Sequence, residues 1–315
     1  MLLAALLSFL FASHTRPSAP QQKTAAPAFV RPSVAGVVLI ILENGERAEA
    51  RDMSFLRDTR VRQQVLLTNY AALAHPSRPN YVGIVSGSIA GIDGDREPKP
   101  ALTNLHLGDL LRDAKVDWRV YAQSYPGKCS LIDEDKDKRY ARRHLGFLDF
   151  ADVQTTAALC EHIVTEDEKL TTLQEDIKNS RVPPFAMIVP DNFHNGHNAG
   201  LVGGSVGAKA GVANANHWLN ENFVKLLDNP AFTKDRIFII TYDENEKHNA
   251  GDHNLVFIDI WGDPVQPTTD GNIMGVPYDH FDLLRTIEAL LDLGSAHAGD
   301  EKGRPIGGIW QKPSP

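Results

Sequence analysis

Val37-Val-Leu-Ile-Ile-Leu42 runs directly into Glu43-Asn44. An unbroken apolar, largely β-branched run of this length predicts a strand buried on both faces. Five further runs have the same character, at 64–68, 118–122, 185–189, 237–241 and 255–261. Helical patterns occupy 53–61, 79–85, 105–112, 216–227 and 280–293. Strands interleaved with helices predict an α/β sandwich around a largely parallel sheet. In open α/β sheets, ligands bind beyond the carboxyl ends of strands. Asp191 follows the run 185–189, and Asp243-Glu244 follows 237–241, as Glu43-Asn44 follows 37–42. A single acid at a strand end also serves as a cap or turn former. Three acidic ends together predict one cleft, and crowded carboxylates need a cation to coexist.

The remaining composition sets limits. The chain has 315 residues, 42% apolar and 23% charged, with a net charge of −8. These values fit a globular protein and exclude a collagen, a coiled coil and a broad nucleic-acid footprint. Leu2 to Ala12 is nearly continuous in apolar residues, and Ser13 to Ala28 is rich in Ser, Pro, Ala and Gln. The apolar run is too short to span a bilayer and lacks a basic segment before it. It reads as a secretory signal with a leader over 1–28, with a frayed apolar terminus as the alternative. Residues 29–315 then read as one catalytic domain, exported and with no transmembrane segment. Cys129 and Cys160 form a disulfide in that setting, or remain two buried thiols.

The segment His75-Pro-Ser-Arg-Pro-Asn-Tyr81 lies between a strand-like run and a helical one. Ser77 is placed as an N-cap and Pro79 in the first turn. A helix N-terminus there suits a phosphate, and a serine hydroxyl beside a metal can act as a nucleophile. A plain capping serine is the alternative.

HPSRPNY at 75–81 resembles the nucleophile segment of the phosphoesterase family, which holds secreted acid phosphatases and phospholipase C-like enzymes. The family belongs to the alkaline phosphatase superfamily. VVLIILEN at 37–44, RYARRH at 139–144, NANHWLNENF at 214–223, IITYDEN at 239–245 and YDHFDLLRTIEALLDLG at 278–294 resemble further family segments, in the same order. The resemblance implies a three-layer α/β sandwich of alkaline phosphatase type. It implies Ser77 as nucleophile, forming a phosphoserine, and Asn80 as a donor to the phosphate oxygens. Glu43, Asp243 and Glu244 are expected to hold a divalent metal, with Asn44 as ligand or phosphate donor. Hard oxygen ligands suit Mg, Mn, Ca or Zn.

A second metal or a phosphate-binding half would involve Asp191, His197, His280 and His75. This chain departs from the family pattern there. Asn195 stands where the family has an Asp, Asp191 stands where it has an Asn, and Asn216 replaces a further Asp. Asp191 or His194 could substitute, or one metal could serve alone. His144 with Arg142 and Arg143 reads as a basic rim or a solvated face. His248 and His253 read as surface residues, and Asn254 as an aid to the following strand. The expected partner is a small phosphorylated substrate or a lipid phosphate. The resulting expectation is a metal-dependent acid phosphatase acting on phosphomonoesters. A phosphodiesterase of phospholipase C type and a catalytically silent phosphate-binding relative stand as alternatives.

Overall fold

The computed structural model describes residues 26–45, 47–61, 64–67, 69–197, 208–246, 253–266, 272–273 and 275–311. The leader expected up to residue 28 therefore lies almost wholly outside the described residues, as does His248. No helix among the described residues is long and apolar enough to cross a membrane.

Ten strands are present among the described residues. They are β1 (Gly36–Leu42), β2 (Gln64–Leu67), β3 (Tyr70–Ala71), β4 (Trp118–Gln123), β5 (Ile163–Glu166), β6 (Phe185–Val189), β7 (Arg236–Tyr242), β8 (Ile258–Trp261), β9 (Asn272–Ile273) and β10 (Tyr278–Asp279). Eight form one sheet in the order β5-β4-β6-β1-β7-β8-β2-β9. The run from β5 to β7 is wholly parallel, and β8 is antiparallel to both its neighbours. β1, β6 and β7 are buried at every residue, so both faces of the sheet centre are covered. That is the environment in which uninterrupted apolar strands are stable.

The Ser77–Ser86 and His280–Leu291 helices pack on each other, and the latter also lies against β1. Edge-to-face aromatic contacts tie Phe55, Phe223 and Phe232 to Phe238 on β7 and Trp261 on β8. A disulfide joins Cys129 to Cys160, with their Cα atoms 5.4 Å apart, so the two-thiol alternative falls away.

The predicted elements are present, with informative differences. The helix expected at 53–61 is instead a short helix, Arg47–Arg51, followed by a 3₁₀ turn, Ser54–Arg57. The Asn216 side chain accepts the Phe55 N–H at 2.9 Å and so supplies a bond that a longer helix would make internally. The helix expected at 216–227 is a relay of α (Ala208–Trp218), π (Leu219–Phe223) and 3₁₀ (Val224–Asp228) segments. Asn220 and Asn222 donate back to the carbonyls of Asn216 and Trp218, at 2.7 and 3.2 Å. Side chains that bond their own backbone compete with regular helical geometry. β5 and the Thr171–Lys178 helix have no counterpart among the predicted elements. β5 is a four-residue edge strand with a polar Thr165, too short for a periodicity signal.

Candidate active site

Register brings the acidic strand ends together. Leu42 on β1 is level with Tyr242 on β7, and Ile40 is level with Ile188 on β6. Glu43 and Asp243 therefore emerge side by side. The loop that follows β6 begins at Pro190-Asp191, one strand away from Glu43. In that loop the Asn195 carbonyl accepts the Glu43 N–H at 2.7 Å.

Ser77 comes from the other side, at the start of the buried Ser77–Ser86 helix. Gly87 ends that helix in the left-handed region, its N–H bonding the Gly83 carbonyl at 2.9 Å. The N-cap is Pro76 rather than Ser77, which corrects the sequence reading. Ser77 is the first helical residue, and its hydroxyl points at carboxylates instead of capping the backbone. It donates to Glu43 Oε1 and lies 3.1 Å from Glu244 Oε1. Tyr81, one turn along, donates to Glu43 Oε2 at 3.1 Å. His144 Nε2 lies 3.1 Å from the same oxygen, and its ring stacks on Tyr81. His75 pairs with Glu244 Oε2 through Nδ1 and is partly exposed. Asn44 donates its backbone N–H to Asp243 Oδ1 at 3.0 Å and its side-chain amide to Glu244 at 3.4 Å.

Glu43, Asp243 and Glu244 are all buried, with oxygens within 4.8 Å of one another. Burial and the two other carboxylates push Asp243 well above the usual carboxylate range. Burial, then Glu43, raises Glu244 to about 8. Burial would also raise Glu43, but His144 and the Ser77 hydrogen bond outweigh it and bring the group down to about 2. Asp243 Oδ2 has no hydrogen-bond partner among the described residues. Three convergent oxygen donors, one of them orphaned, fit a hard divalent cation.

The other predicted residues are otherwise engaged. The resemblance has Asn80 facing phosphate. Instead its Oδ1 accepts the N–H groups of Leu73 and Ala74, at 2.9 and 3.0 Å, and its amide donates to the Ala74 and Pro76 carbonyls. It braces the loop that leads into Ser77. Asp191 accepts from Ser124 at 2.7 Å and from Arg139 at 2.8 Å, and lies 3.1 Å from His194. These partners, against the effect of burial, hold its carboxyl below the usual range. His197 Nε2 lies 3.3 Å from Glu246. His280 bonds the Asp243 carbonyl through Nε2 and the Tyr70 hydroxyl through Nδ1, both at 2.7 Å. Burial lowers it to about 4, so it is neutral. Asn216 faces Ser54 and Phe55 rather than the carboxylates.

Sequence reading gives no site role to Tyr81, His144 or Asn254. Tyr81 sits four residues after Ser77, on the same helix face, which is a usable signal. His144 reads in the sequence as the end of a family-like segment and as part of a basic rim, with no link to Glu43. Asn254 accepts the Asn245 N–H at 3.0 Å and donates to the Ala74 carbonyl at 2.9 Å, tying the two loops that carry Glu244 and Ser77. No local pattern announces such a long-range strut.

A second group, His106, Asp109 and Asp152, also brings ligand atoms together. His106 caps the Leu107–Asp113 helix, and its Nδ1 accepts the Gly108 N–H at 3.0 Å. The ring proton therefore sits on Nε2, facing Asp152 at 3.2 Å. This arrangement is a capping and pairing device.

The architecture is that of the alkaline phosphatase superfamily. A Vibrio parahaemolyticus protein of that superfamily superposes with a TM-score of 0.52 at 13% identity, covering 84% of this chain and 68% of that one. The periplasmic domain of Escherichia coli EptC gives 0.51 at 12% identity, covering 90% and 88%. Residues 51–253 match the Phosphoesterase family, and the chain belongs to it. A probable acid phosphatase of Kluyveromyces lactis is 28% identical over 84% of this chain and 59% of its own length. An Aspergillus fumigatus acid phosphatase is 25% identical over 72% of this chain and 48% of its own. The chain thus spans about half the length of such fungal relatives. A Mycobacterium tuberculosis phosphatidylinositol-3-phosphatase is 23% identical over 92% of this chain and 87% of its own.

Proposed function

We propose that the protein is a metal-dependent phosphatase of acid phosphatase type, hydrolysing phosphomonoesters through a phosphoserine. The observation that carries this reading is the Ser77 hydroxyl, held at a helix start between Glu43 and Glu244 of a buried carboxylate trio. A divalent cation held by Glu43, Asp243 and Glu244 would supply positive charge beside the serine oxygen and the phosphate. Glu43 orients the hydroxyl so that its oxygen faces phosphorus, with Tyr81 and His144 fixing the Glu43 carboxylate. The Ser77 oxygen then forms a bond to phosphorus while the alcohol leaves. Water releases phosphate from phosphoserine in a second displacement. His75, partly exposed beside Glu244, is assigned to the phosphate, and Asn80 to positioning the nucleophile loop. The disulfide supports an extracytoplasmic location.

The test is phosphate release from 4-nitrophenyl phosphate and from bis(4-nitrophenyl) phosphate, with and without chelator. Monoester turnover that chelation abolishes, and that Ser77→Ala lowers at least about 10³-fold, is expected. Wild-type turnover by Ser77→Ala would refute the nucleophile, and preference for the diester would replace the monoester reading. The mycobacterial relative, matched along most of both chains, favours one further reading: a monoester carried on a lipid headgroup.

A further inference from the structure

An open cleft of about 370 Å³ is lined by Arg78, Asp95, Arg96, Asp133, Glu134 and Arg143. Two of its lining residues stand close to the carboxylate site. Arg78 follows Ser77 directly, and its N–H donates to Asp95 Oδ1 at 3.1 Å. Arg143, on the other wall, is near enough for its charge to act on Glu43. The walls are fixed. Arg78 is bound to the buried Asp149, and Arg143 donates to Glu134 at 3.1 Å. The Arg142 N–H bonds the Asp133 carbonyl at 2.8 Å, and the disulfide at Cys129 anchors the same loop.

Two lining side chains differ from the rest. Those of Arg96 and Asp133 are exposed and make no hydrogen bond or ion pair among the described residues. The charge of Asp133 reaches Lys99, but without contact. The cleft therefore offers one guanidinium and one carboxylate with open bonding positions on fixed walls. No aliphatic or aromatic residue lines it, so its apolar surface is that of the arginine and acidic side-chain stems between charged heads. A hydroxyl both donates and accepts, so a polyol satisfies carboxylate and guanidinium together. The volume lies in the range of small-ligand clefts.

We propose that this cleft is the leaving-group subsite and takes a polyhydroxylated alcohol, as in a sugar or polyol monoester. The proposal rests on the phosphomonoesterase reading above. Arg96 and Asp133 recognise the hydroxyls, and neither touches the reacting atoms.

The test compares Arg96→Ala and Asp133→Ala with the unaltered protein on glucose 6-phosphate and on 4-nitrophenyl phosphate. Both positions are exposed, which spares the fold. The expected result is a loss of about tenfold in kcat/KM on the sugar phosphate, mainly through KM, with the aryl phosphate unchanged. Equal losses on both substrates, or none, would overturn the proposal. Vesicles containing phosphatidylinositol 3-phosphate form a third arm. The same selective loss there assigns the polyol to a lipid headgroup, and loss confined to soluble substrate assigns it to a free sugar phosphate. Calorimetric binding of glucose 6-phosphate to Ser77→Ala needs no turnover. Weaker binding when Arg96→Ala is added supports the cleft even if hydrolysis fails, and unchanged binding overturns it.

Discussion

The two halves of the predicted site are built from the same kind of position and end in opposite states. Glu43, Asp243 and Glu244 follow β1 and β7, and Asp191 follows the neighbouring β6. All four are buried. The first three face each other, with an orphaned oxygen on Asp243 and raised pKa values on Asp243 and Glu244. Asp191 is neutralised by Arg139 and hydrogen-bonded by Ser124, while His280 is saturated by Tyr70 and a carbonyl. The difference teaches that a strand-end acid is a candidate for a ligand only where the fold leaves it electrostatically unsatisfied.

The sharpest way to break this comparison is Asp243→Asn. Activity is expected to fall at least about 10²-fold, because a cation ligand is lost. The melting temperature of the chelated protein should hold or rise, because a carboxyl whose ionised form burial and its neighbours disfavour gives way to a neutral amide. A large drop in melting temperature would show that Asp243 serves the fold. Metal analysis of the unaltered protein should return one divalent ion per chain, and two would show that the second half also binds metal.

The pH dependence sharpens the first half further. Glu244 is raised to about 8, so its proton is favoured in the folded state. That contribution to stability is present below the usual carboxylate pKa and is lost as pH rises through about 8. Chelated protein should therefore lose stability over this interval. Metal binding requires the carboxylate, so it should release protons in mildly acidic solution and tighten as pH rises. Melting curves and a metal titration in weak buffer check both signs.

Asp191→Asn tests the other half. It weakens a charged hydrogen-bond cluster, and a loss of about 2 kcal/mol in denaturant unfolding is expected. Metal stoichiometry should not change. Asp259 on β8 is a useful control, because it is fully buried with neither carboxyl oxygen partnered among the described residues. It sits level with Ile240 and Leu66, without a second carboxylate in its strand neighbours. Asp259→Val should stabilise the protein by about 1–2 kcal/mol, read from the same unfolding curves, without changing metal affinity.

Much of the carboxylate half was legible in the chain. Uninterrupted apolar runs announced β1, β6 and β7, and the acids after them lay where parallel sheets bind ligands. HPSRPNY marked the helix that begins at Ser77. The roles of Asn80 and Asn216 were not legible, because a side-chain amide serves a ligand or a loop according to what lies opposite. The irregular 208–228 relay was hidden for a related reason. Its helical pattern is sound, and the bonds from Asn220 and Asn222 to nearby carbonyls compete with it.

The sequence by itself determined the central strands, the acidic ends and the serine at a helix start, because burial and backbone preference act over short stretches. Tertiary structure alone decided which acids would be neutralised. Asp191 meets Arg139 across 52 residues, while Glu43 meets Asp243 and Glu244 through strand register. Charge compensation depends on distance in space, which the order of residues does not contain.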